Sequence, residues 1–567
     1  MPHSLTIPTG LSQFSTLVRR LRNAASLIAH HVKKHTGIGV VCAVAYFDPG
    51  NWGVDLQAGS EFGYSLLCVV LLACLFAVFL QVLATRLGCV TGIDLASHTR
   101  LLLYNRPKHT LLYRWLGLYP LYALAEIAII ATDLAELLGS AIALCMLFPK
   151  LELWHGVLIT AFDVFLIFFM GDPLRGKPVK LFELIVAIMV LAVFICMIVI
   201  ISKVDVNWAQ AFEGFVPSKK VFASGGVYTS VGILGATVMP HSLFIGSALA
   251  TQDRISFHSA KRAVNLSDVS QTQSAESLTG RLDEKVVLSR RLYLGFIKSV
   301  LSIFRKPDAS SHATAAKNHD EHQNNSFEFV RAHIYHGTID VAGSLLGFAV
   351  IINALILVLA SAVFFYGEGR VENGGPASLF DAYDLIRDVV GPPAATLFAI
   401  ALLCAGQSAS IIATVAGQAV SEGFIEWRVS PVMRRLATRL LAIIPSMAVA
   451  LVVGRQGIDN LLVVSQVVLS IVLPFITLPL LYCTSNRSMM SVRKVKPDAA
   501  SIPEGSSVTE VSAMPKTESS SDFENADSDA VVDYSNSMLA VVVGAAIWLV
   551  ILAANVYVIM ELCIGKS

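Results

Sequence analysis

The chain has 567 residues, of which 55% are hydrophobic and only 15% are charged. A soluble protein carries about 25% charged residues, so this composition excludes a soluble globular protein and indicates one dissolved in a lipid bilayer. Lys and Arg together number 42 and Asp and Glu 41, which leaves no basic field of the kind that attracts nucleic acid. We therefore expect no nucleic-acid partner. The nine cysteines form no C-x-x-C pair and are predicted to be small core residues.

Eleven segments of the chain are apolar enough to cross a membrane, for which a helix needs about 20 apolar residues over about 30 Å of hydrocarbon. We number them spans 1 to 11 in chain order. They cover residues 36–61, 64–88, 115–148, 154–171, 180–202, 226–251, 337–366, 392–413, 436–454, 460–483 and 537–564.

The basic residues next to the spans predict their orientation. Residues 1–35 are polar and basic and lack the apolar core of a secretory signal, so we expect span 1 to insert directly and the N-terminus to be cytosolic. Lys and Arg then collect at the cytosolic ends, as the positive-inside rule requires. They are Arg19, Arg20, Lys33 and Lys34 before span 1, Arg100, Arg106, Lys108 and Arg114 before span 3, Arg175, Lys177 and Lys180 before span 5, and Arg428, Arg434 and Arg435 before span 9.

Two polar segments interrupt the series of spans. Residues 252–332, before span 7, are rich in Ser, His and Asn, and residues 484–536, before span 11, are rich in Ser, Glu and Asp. Segments with so few apolar residues do not build a core, so we predict a disordered cytosolic loop and a disordered cytosolic linker. The acidic loop between spans 7 and 8 is predicted to lie outside, where it either concentrates cations or is simply solvated.

Spans 1 and 6 are each interrupted in the middle, by Asp-Pro-Gly-Asn at 48–51 and by Gly-Ala-Thr-Val-Met-Pro-His at 235–241. Proline has no N–H, so Pro240 leaves the carbonyl of Ala236 without its helical donor. Interrupted helices at matching positions of two halves point to a midplane site in inverted-repeat transporters. We therefore predict a first repeat over 36–203, a second over 226–483 and a peripheral span 11 over 537–564. The alternative is that Pro and Gly merely kink two ordinary spans.

The residues at these breaks offer a mixed set of metal ligands. They provide the carboxylate of Asp48, the amide oxygen of Asn51, the carbonyl of Ala236 and the thioether of Met239. Hard Ca²⁺ and Mg²⁺ prefer oxygen alone, whereas sulfur beside oxygen favours softer divalent ions such as Mn²⁺, Fe²⁺, Co²⁺ and Cd²⁺. The alternative for Met239 is that it only fills the core.

Span 3 carries three acidic residues, Glu126, Asp133 and Glu136, on one helical stripe. Carboxylates at bilayer depth cannot face lipid. Close like charges keep one another partly protonated near neutral pH, which suits proton transfer. For any one of them alone, a structural hydrogen bond is the competing interpretation.

These residues together resemble the Nramp family of divalent-metal transporters. The matching patterns are D-P-G-N at 48–51, D-L-Q-A-G at 55–59, A-T-D-L-A-E at 131–136, G-A-T-V-M-P-H at 235–241, and G-Q and A-G-Q at 406–407 and 416–418. The resemblance covers spans 1–10 and implies an all-α membrane protein with the LeuT-type 5+5 inverted repeat, in which spans 1 and 6 are broken. The stretch 242–247 is more similar to fungal manganese carriers than to animal members.

The resemblance also implies roles for particular residues. Metal is expected at Asp48, Asn51, Ala236 and Met239, joined by Gln466 when the site closes. Proton movement is expected to use Asp48, His241, Asp133, Glu136 and Arg439, and the acidic stripe adds Glu126. His241 is alternatively a satisfied core histidine. Arg439 is alternatively a residue that extends to the cytosolic membrane surface.

We therefore predict a multi-pass carrier, not an enzyme and without a cofactor, that moves divalent metal ions and protons across a plasma, endosomal or vacuolar membrane. The alternative is a sodium-coupled amino-acid-type carrier on the same fold, against which the unpaired charge of Asp48 argues, since it repels a substrate carboxylate. A passive cation channel would instead need a continuous pore.

Overall fold

The structure is a computed structural model that describes residues 37–160, 180–223, 225–254, 316–367, 377–427, 431–494 and 531–564. The predicted segment 1–35, the second half of span 4 and most of the two polar segments lie outside these ranges. The helices of spans 1 to 5 are, in order, Ile38–Val44 with Pro49–Phe62, Leu67–Thr91, Tyr119–Leu147, Leu153–Thr160 and Lys180–Ile201. Span 6 consists of Gly226–Thr237 and Pro240–Leu249, and span 7 of Phe327–Ser344, Leu345–Ala349, Val350–Ala360 and Ser361–Phe365. Spans 8 to 11 are Pro392–Ile425, Pro431–Val452, Arg455–Ser485 and Met538–Ile564.

Shorter elements connect the spans. They are Gly63–Leu66, Leu95–Leu103, Thr110–Tyr113, Arg114–Leu118, Trp208–Glu213, Lys219–Phe222, His319–Glu321 and Leu379–Val389, with strands Ser491–Arg493 and Val531–Asp533. Within the described residues, 8 helical stretches are long and apolar enough to cross a membrane, and one of them, Pro49–Thr91, joins the second half of span 1 to span 2. Span 9 adds the shorter apolar helix Leu436–Val452. The predicted all-α, LeuT-type class with broken spans 1 and 6 is confirmed.

Both breaks lie directly on the N-terminal side of the prolines. The break in span 1 begins at residue 45, three residues before the predicted position, and the break in span 6 is confined to 238–239, within the predicted stretch. Span 1 consists of half-helix 1a, Ile38–Val44, and half-helix 1b, Pro49–Phe62. Span 6 consists of half-helix 6a, Gly226–Thr237, and half-helix 6b, Pro240–Leu249. Each proline is the first residue of its second half-helix, because that position needs no N–H and suits the fixed φ of proline. The prediction that these residues themselves interrupt the helix was therefore wrong for 49–51, 235–237 and 240–241.

Span 6 lies at the centre of the bundle and span 11 at its edge. The most apolar stretch of span 6 is 100% buried, whereas that of span 11 is only 22% buried. Span 11 is held against span 10 by two side chains that donate to its backbone, Trp548 to Pro474 O at 2.8 Å and Asn555 to Ser470 O at 2.9 Å. Among the described residues, span 11 therefore contacts the bundle with only a small part of its surface.

The ends that were predicted to be cytosolic meet on one face of the bundle. Arg100 pairs with Glu426 at 2.8 Å, which joins the segment after span 2 to the end of span 8. Arg254, after span 6, pairs with Glu183 at the start of span 5 at 2.7 Å. His98 after span 2 contacts His319 before span 7 at 2.9 Å, and the N–H of Arg254 contacts His333 of span 7 at 3.3 Å. The described ends of spans 2, 6 and 8 and the described starts of spans 5 and 7 therefore lie on one side.

The ends of both polar segments are more ordered than predicted. Helix Phe327–Ser344 begins ten residues before the predicted start of span 7, because Ser326 caps it and its first turns extend beyond the apolar stretch. Asn324 donates to the carbonyls of Met489 and Ser491, at 2.8 and 2.9 Å. Strands Ser491–Arg493 and Val531–Asp533 pair antiparallel, so the two described ends of the linker lie side by side. Residues 316–332 and both ends of 484–536 therefore depart from the predicted disorder.

Candidate metal site

The break in span 1 places Asp48 and Asn51 side by side. Asp48 is the N-cap of half-helix 1b, and its Oδ1 accepts the backbone N–H of Asn51 at 3.1 Å. The same oxygen accepts Asn51 Nδ2–H at 2.7 Å. Both side chains are buried, with 0% and 1% of their surface exposed, so the carboxylate lies inside the bundle and is held by the half-helix it caps.

The break in span 6 brings the carbonyl of Ala236 to the same place. Asn51 Nδ2 donates to Ala236 O at 2.9 Å, which satisfies the carbonyl that Pro240 leaves without a helical donor. The amide nitrogen of Asn51 thus lies between Asp48 Oδ1 and Ala236 O. Three of the five predicted ligands are in direct contact.

Gln466 and Met239 complete the predicted set. A β-carbon on Gly50 would collide with the Gln466 amide, and one on Gly235 would collide with the Gln466 backbone, so span 10 fits closely against both broken spans at this residue. Met239 is the N-cap residue of half-helix 6b, and its side chain is wholly buried. All five predicted ligands therefore belong to spans 1, 6 and 10 at the level of the breaks.

Two buried oxygen atoms of the five predicted ligands accept no hydrogen bond from the described residues. Among the described residues, Asp48 Oδ2 and Gln466 Oε1 have no hydrogen-bond partner. Buried polar atoms are nearly always paired, so each such atom requires an explanation. These two oxygens come from spans 1 and 10, and one belongs to a carboxylate. A divalent cation would use both as ligands.

Asn353 is part of this region and was not predicted. Its Nδ2 donates to Tyr46 O at 2.7 Å, within the break of span 1, and lies 3.4 Å from Asn51 Oδ1. The only sequence signal was a single amide within the long apolar run of span 7. Asn353 stabilises the break because it occupies a carbonyl that the interrupted helix leaves free.

A polar network on the 1a and 6b side of the site was also missed. Tyr46 Oη contacts Gln81 Oε1 at 2.9 Å and Ser242 Oγ at 2.7 Å, and Ser242 donates to Met239 O at 2.9 Å. Asp340 of span 7 accepts the N–H of Gly39 at 2.7 Å. These bonds join spans 1, 2, 6 and 7 on the 1a and 6b side of the site.

His241 follows the break in span 6 and contacts span 3. Thr132 donates its single hydroxyl hydrogen to Ala128 O at 3.0 Å, so its Oγ1 accepts from His241 Nδ1–H at 3.3 Å. The neutral ring therefore carries its lone pair on Nε2. Among the described residues, this buried Nε2 has no hydrogen-bond partner. His241 is only half satisfied as a core histidine and has a nitrogen that can accept a proton.

Arginines of span 9 contact two of the three carboxylates of span 3. Arg439, 1% exposed, lies 3.2 Å from Asp133 Oδ1 and donates to Asp133 O at 3.1 Å. Arg434 donates to both oxygens of Glu126, at 2.8 and 2.6 Å. Asp133 and Glu126 therefore each have a cation beside them, which the like-charge argument from span 3 alone did not include. The alternative that Arg439 extends to the membrane surface is also wrong.

Glu136 lies three residues beyond Asp133 on the same helix and is likewise 0% exposed. His241 contacts Thr132, and the next residue of span 3, Asp133, contacts Arg439, so polar residues extend from the break in span 6 to span 9. Arg434 was missed as a partner because the sequence offered it only as one of several basic residues near a cytosolic end.

Comparison with known proteins agrees with this architecture. A family profile described as Natural resistance-associated macrophage protein-like, Nramp, matches residues 39–278 and 309–500. The chain is 37% identical over 536 residues to a manganese transporter of Schizosaccharomyces pombe, covering 94% of this chain and 86% of that protein. It is 34% identical over 538 residues to an iron transporter of Saccharomyces cerevisiae, covering 94% and 97%.

The fold is also that of a solved relative. The crystal structure of the Eremococcus coleocola manganese transporter, in complex with an aromatic bis-isothiourea substituted compound, is similar with a TM-score of 0.62 and 26% identity. The match covers 97% of this chain and 88% of that one. These relatives are named as transporters, which confirms the prediction that the chain is not an enzyme. From the broken spans, the motifs and these matches, the chain belongs to the Nramp family.

Proposed function

We propose that the chain moves Mn²⁺, Fe²⁺ and related ions such as Co²⁺ and Cd²⁺ into the cytosol, coupled to protons, by alternating access. Relatives of this chain are named as manganese and iron transporters. In this proposal the metal ion and the proton are the substrates, and no cofactor is required. The repeats 36–203 and 226–483 move relative to each other around the fixed midplane site.

The observation that carries the proposal is the convergence of acceptors at the two breaks. Asn51 Nδ2 lies 2.7 Å from Asp48 Oδ1 and 2.9 Å from Ala236 O. The partly positive NH₂ group of Asn51 thus lies between these two oxygens. The same two oxygens attract a divalent cation more strongly than they attract the amide group. When the Asn51 amide turns over, its Oδ1 becomes a third oxygen ligand.

Selectivity is proposed to come from Met239 and from the low charge of the site. Asp48 contributes the only formal negative charge among the five proposed ligands. Ca²⁺ and Mg²⁺ favour sites of several carboxylates and carbonyl oxygens, so a single carboxylate with a thioether binds them weakly. Softer divalent ions gain from the sulfur.

Protons are proposed to leave the metal site through His241. The ring accepts a proton on Nε2 and already donates from Nδ1 to Thr132, which precedes Asp133 in span 3. Asp133, Glu136 and Arg439 continue the path to span 9, with Glu126 and Arg434 at its far end. Arg439 lies 3.2 Å from Asp133, which places a positive charge beside this step of the proposed path.

We place this activity in a plasma, endosomal or vacuolar membrane, with the N-terminus in the cytosol. The hydrogen bonds of Tyr46, Ser242 and Asp340 then close the cytosolic side of the site. In this arrangement the described conformation takes its ion from the opposite side of the membrane.

The proposal is tested by Mn²⁺ uptake into proteoliposomes with and without an inward proton gradient. Asp48→Asn is expected to abolish uptake because it removes the only formal charge at the ion. Glu61→Gln is the matched control, since it makes the same chemical change near the end of half-helix 1b, away from the breaks. Loss of uptake in both variants, or retained uptake in Asp48→Asn, would contradict the site assignment.

A further inference from the structure

Three potential metal ligands meet on the face where the predicted cytosolic ends converge. His98 lies in the helix Leu95–Leu103 after span 2, His319 lies in the short turn before span 7, and Cys483 lies in the last turn of span 10. One ligand atom from each of these residues lies within 4.8 Å of the other two. We refer to these three residues as the His–His–Cys cluster.

Hydrogen bonds determine which nitrogen of His98 has the lone pair. Thr91 donates its only hydroxyl hydrogen to a carbonyl, that of Leu87 at 2.7 Å, so its Oγ1 accepts from His98 Nε2–H at 2.9 Å. His98 Nδ1 is therefore unprotonated and faces His319 Nε2 at 2.9 Å. A ring whose far N–H is held by a fixed oxygen is oriented as metal-binding histidines are.

The cluster is buried and its position is fixed by its surroundings. His98 is 1% exposed and Cys483 is 0% exposed. The segment that carries His319 is anchored by Asn325, which binds the carbonyls of Val90 and Cys89 at 3.0 and 2.9 Å. Burial and the nearby rings of His319 and His322 hold the pKa of His98 well below its ordinary range.

We propose that the His–His–Cys cluster binds a soft divalent transition-metal ion of the Zn²⁺ or Co²⁺ class through His98 Nδ1, His319 Nε2 and Cys483 Sγ. Two imidazoles and a thiolate are the ligands such ions prefer, whereas Ca²⁺ and Mg²⁺ require oxygen. A tetrahedral ion needs donors about 3.4 to 3.6 Å apart, so the two nitrogens separate by about 0.5 Å on binding.

The proton balance of this binding step is simple. Cys483 releases its thiol proton to solvent as the metal–sulfur bond forms. The hydrogen bond between the two rings is replaced by two metal–nitrogen bonds, and His319 carries its remaining proton on Nδ1. A water molecule takes the fourth position.

Such an ion would join three segments that are far apart in the sequence. It would fix loop 6–7 to the ends of spans 2 and 10, on the face into which the proposed transport pathway releases its ion. The site is therefore placed to respond to metal on that side. It does not depend on the proposed transport function, because it shares no ligand with the breaks in spans 1 and 6.

The test uses Co²⁺ with the purified, reduced, full-length protein in detergent. A Co²⁺ ion bound to a thiolate gives a near-ultraviolet charge-transfer band, and the proposed transport site offers a thioether but no thiolate. The wild type and Asp48→Asn are expected to show the band, and Cys483→Ser is expected to lose it. Cys563→Ser is the matched control, since Cys563 is exposed near the end of span 11, and should keep the band.

A second variant guards against misfolding of Cys483→Ser. His319 is only partly buried, so His319→Ala leaves the bundle intact and is expected to weaken Co²⁺ binding at least about tenfold. Bound metal is also expected to slow hydrogen exchange of residues 316–325 in the wild type but not in His319→Ala. Absence of the band from the wild type, its persistence in Cys483→Ser, or unchanged affinity in His319→Ala would overturn the proposal.

Discussion

The ion pair between Arg439 and Asp133 gives the sharpest test of how spans 3 and 9 work together. Both side chains are buried, with 1% and 0% of their surface exposed, and the charged atoms are 3.2 Å apart. Removing one partner of a buried pair leaves an uncompensated charge, which costs about 3–5 kcal/mol of the free energy of unfolding. We expect Arg439→Gln and Asp133→Asn each to lose this amount.

The double variant separates stability from function. It leaves no buried charge at this pair, so we expect a coupling energy of at least about 2 kcal/mol relative to the sum of the single losses. If the pair carries protons as proposed, the recovered double variant still lacks proton-driven Mn²⁺ uptake. The free energy of unfolding is measured in mixed micelles, and uptake is measured in proteoliposomes with and without a pH gradient.

Arg434 and Glu126 provide the matched control, because they join the same two spans by the same kind of pair. Arg434 is 6% and Glu126 20% exposed, so water screens this pair more than the Arg439–Asp133 pair and the single variants should lose less of the free energy of unfolding. Additive losses for Arg439 and Asp133 would refute the ion pair. Restored proton coupling in their double variant would refute their place in the proton path.

Four further predictions follow from the site and its surroundings. His241→Ala should reduce the pH dependence of Mn²⁺ uptake more than Mn²⁺ binding, and equal losses would make the ring a ligand. Met239→Ala should make discrimination against Ca²⁺ about tenfold poorer, equivalent to about 1.4 kcal/mol, as measured by competition with Cd²⁺. Gly50→Ala should impair uptake because its β-carbon collides with Gln466, whereas Gly343→Ala, which meets nothing within 4 Å, should not. Deleting 256–315 should leave uptake intact. A deletion that continues to 325 also removes the hydrogen bonds of Asn324 and Asn325, so it should lower the yield of folded protein in gel filtration.

Local sequence signals predicted the breaks well because proline acts on its own neighbours. Pro49 and Pro240 remove specific backbone N–H groups, so the positions of the breaks followed from the sequence to within a few residues. The remaining error arose because proline begins a half-helix more readily than it ends one. The capping by Asp48 and the freed carbonyl of Ala236 belong to the same local chemistry.

The pairings between distant residues were not predictable in the same way. Asn353 reaches Tyr46 across 307 positions of sequence, and Arg434 reaches Glu126 across 308. The amino-acid sequence alone does not indicate which polar side chain of one span contacts which polar side chain of another. The like-charge argument for span 3 considered one helix without Arg434 and Arg439, which pair with two of its carboxylates.

The type of residue 51 was predicted to supply a ligand, but the orientation of its side chain could not be predicted. The sequence identifies an amide as an oxygen ligand, yet its nitrogen faces Asp48 Oδ1 and Ala236 O, two atoms that only accept hydrogen bonds, which fixes the assignment of the amide. Its Oδ1 points instead toward Thr237 and Asn353, at 3.5 and 3.4 Å. In the proposed function, binding of an ion through Oδ1 would exchange two short hydrogen bonds of Asn51 for metal coordination and would release two long ones. Because three of those four bonds link span 1 to spans 6 and 7, ligand exchange at this one side chain would give the ion a direct effect on contacts between the two repeats.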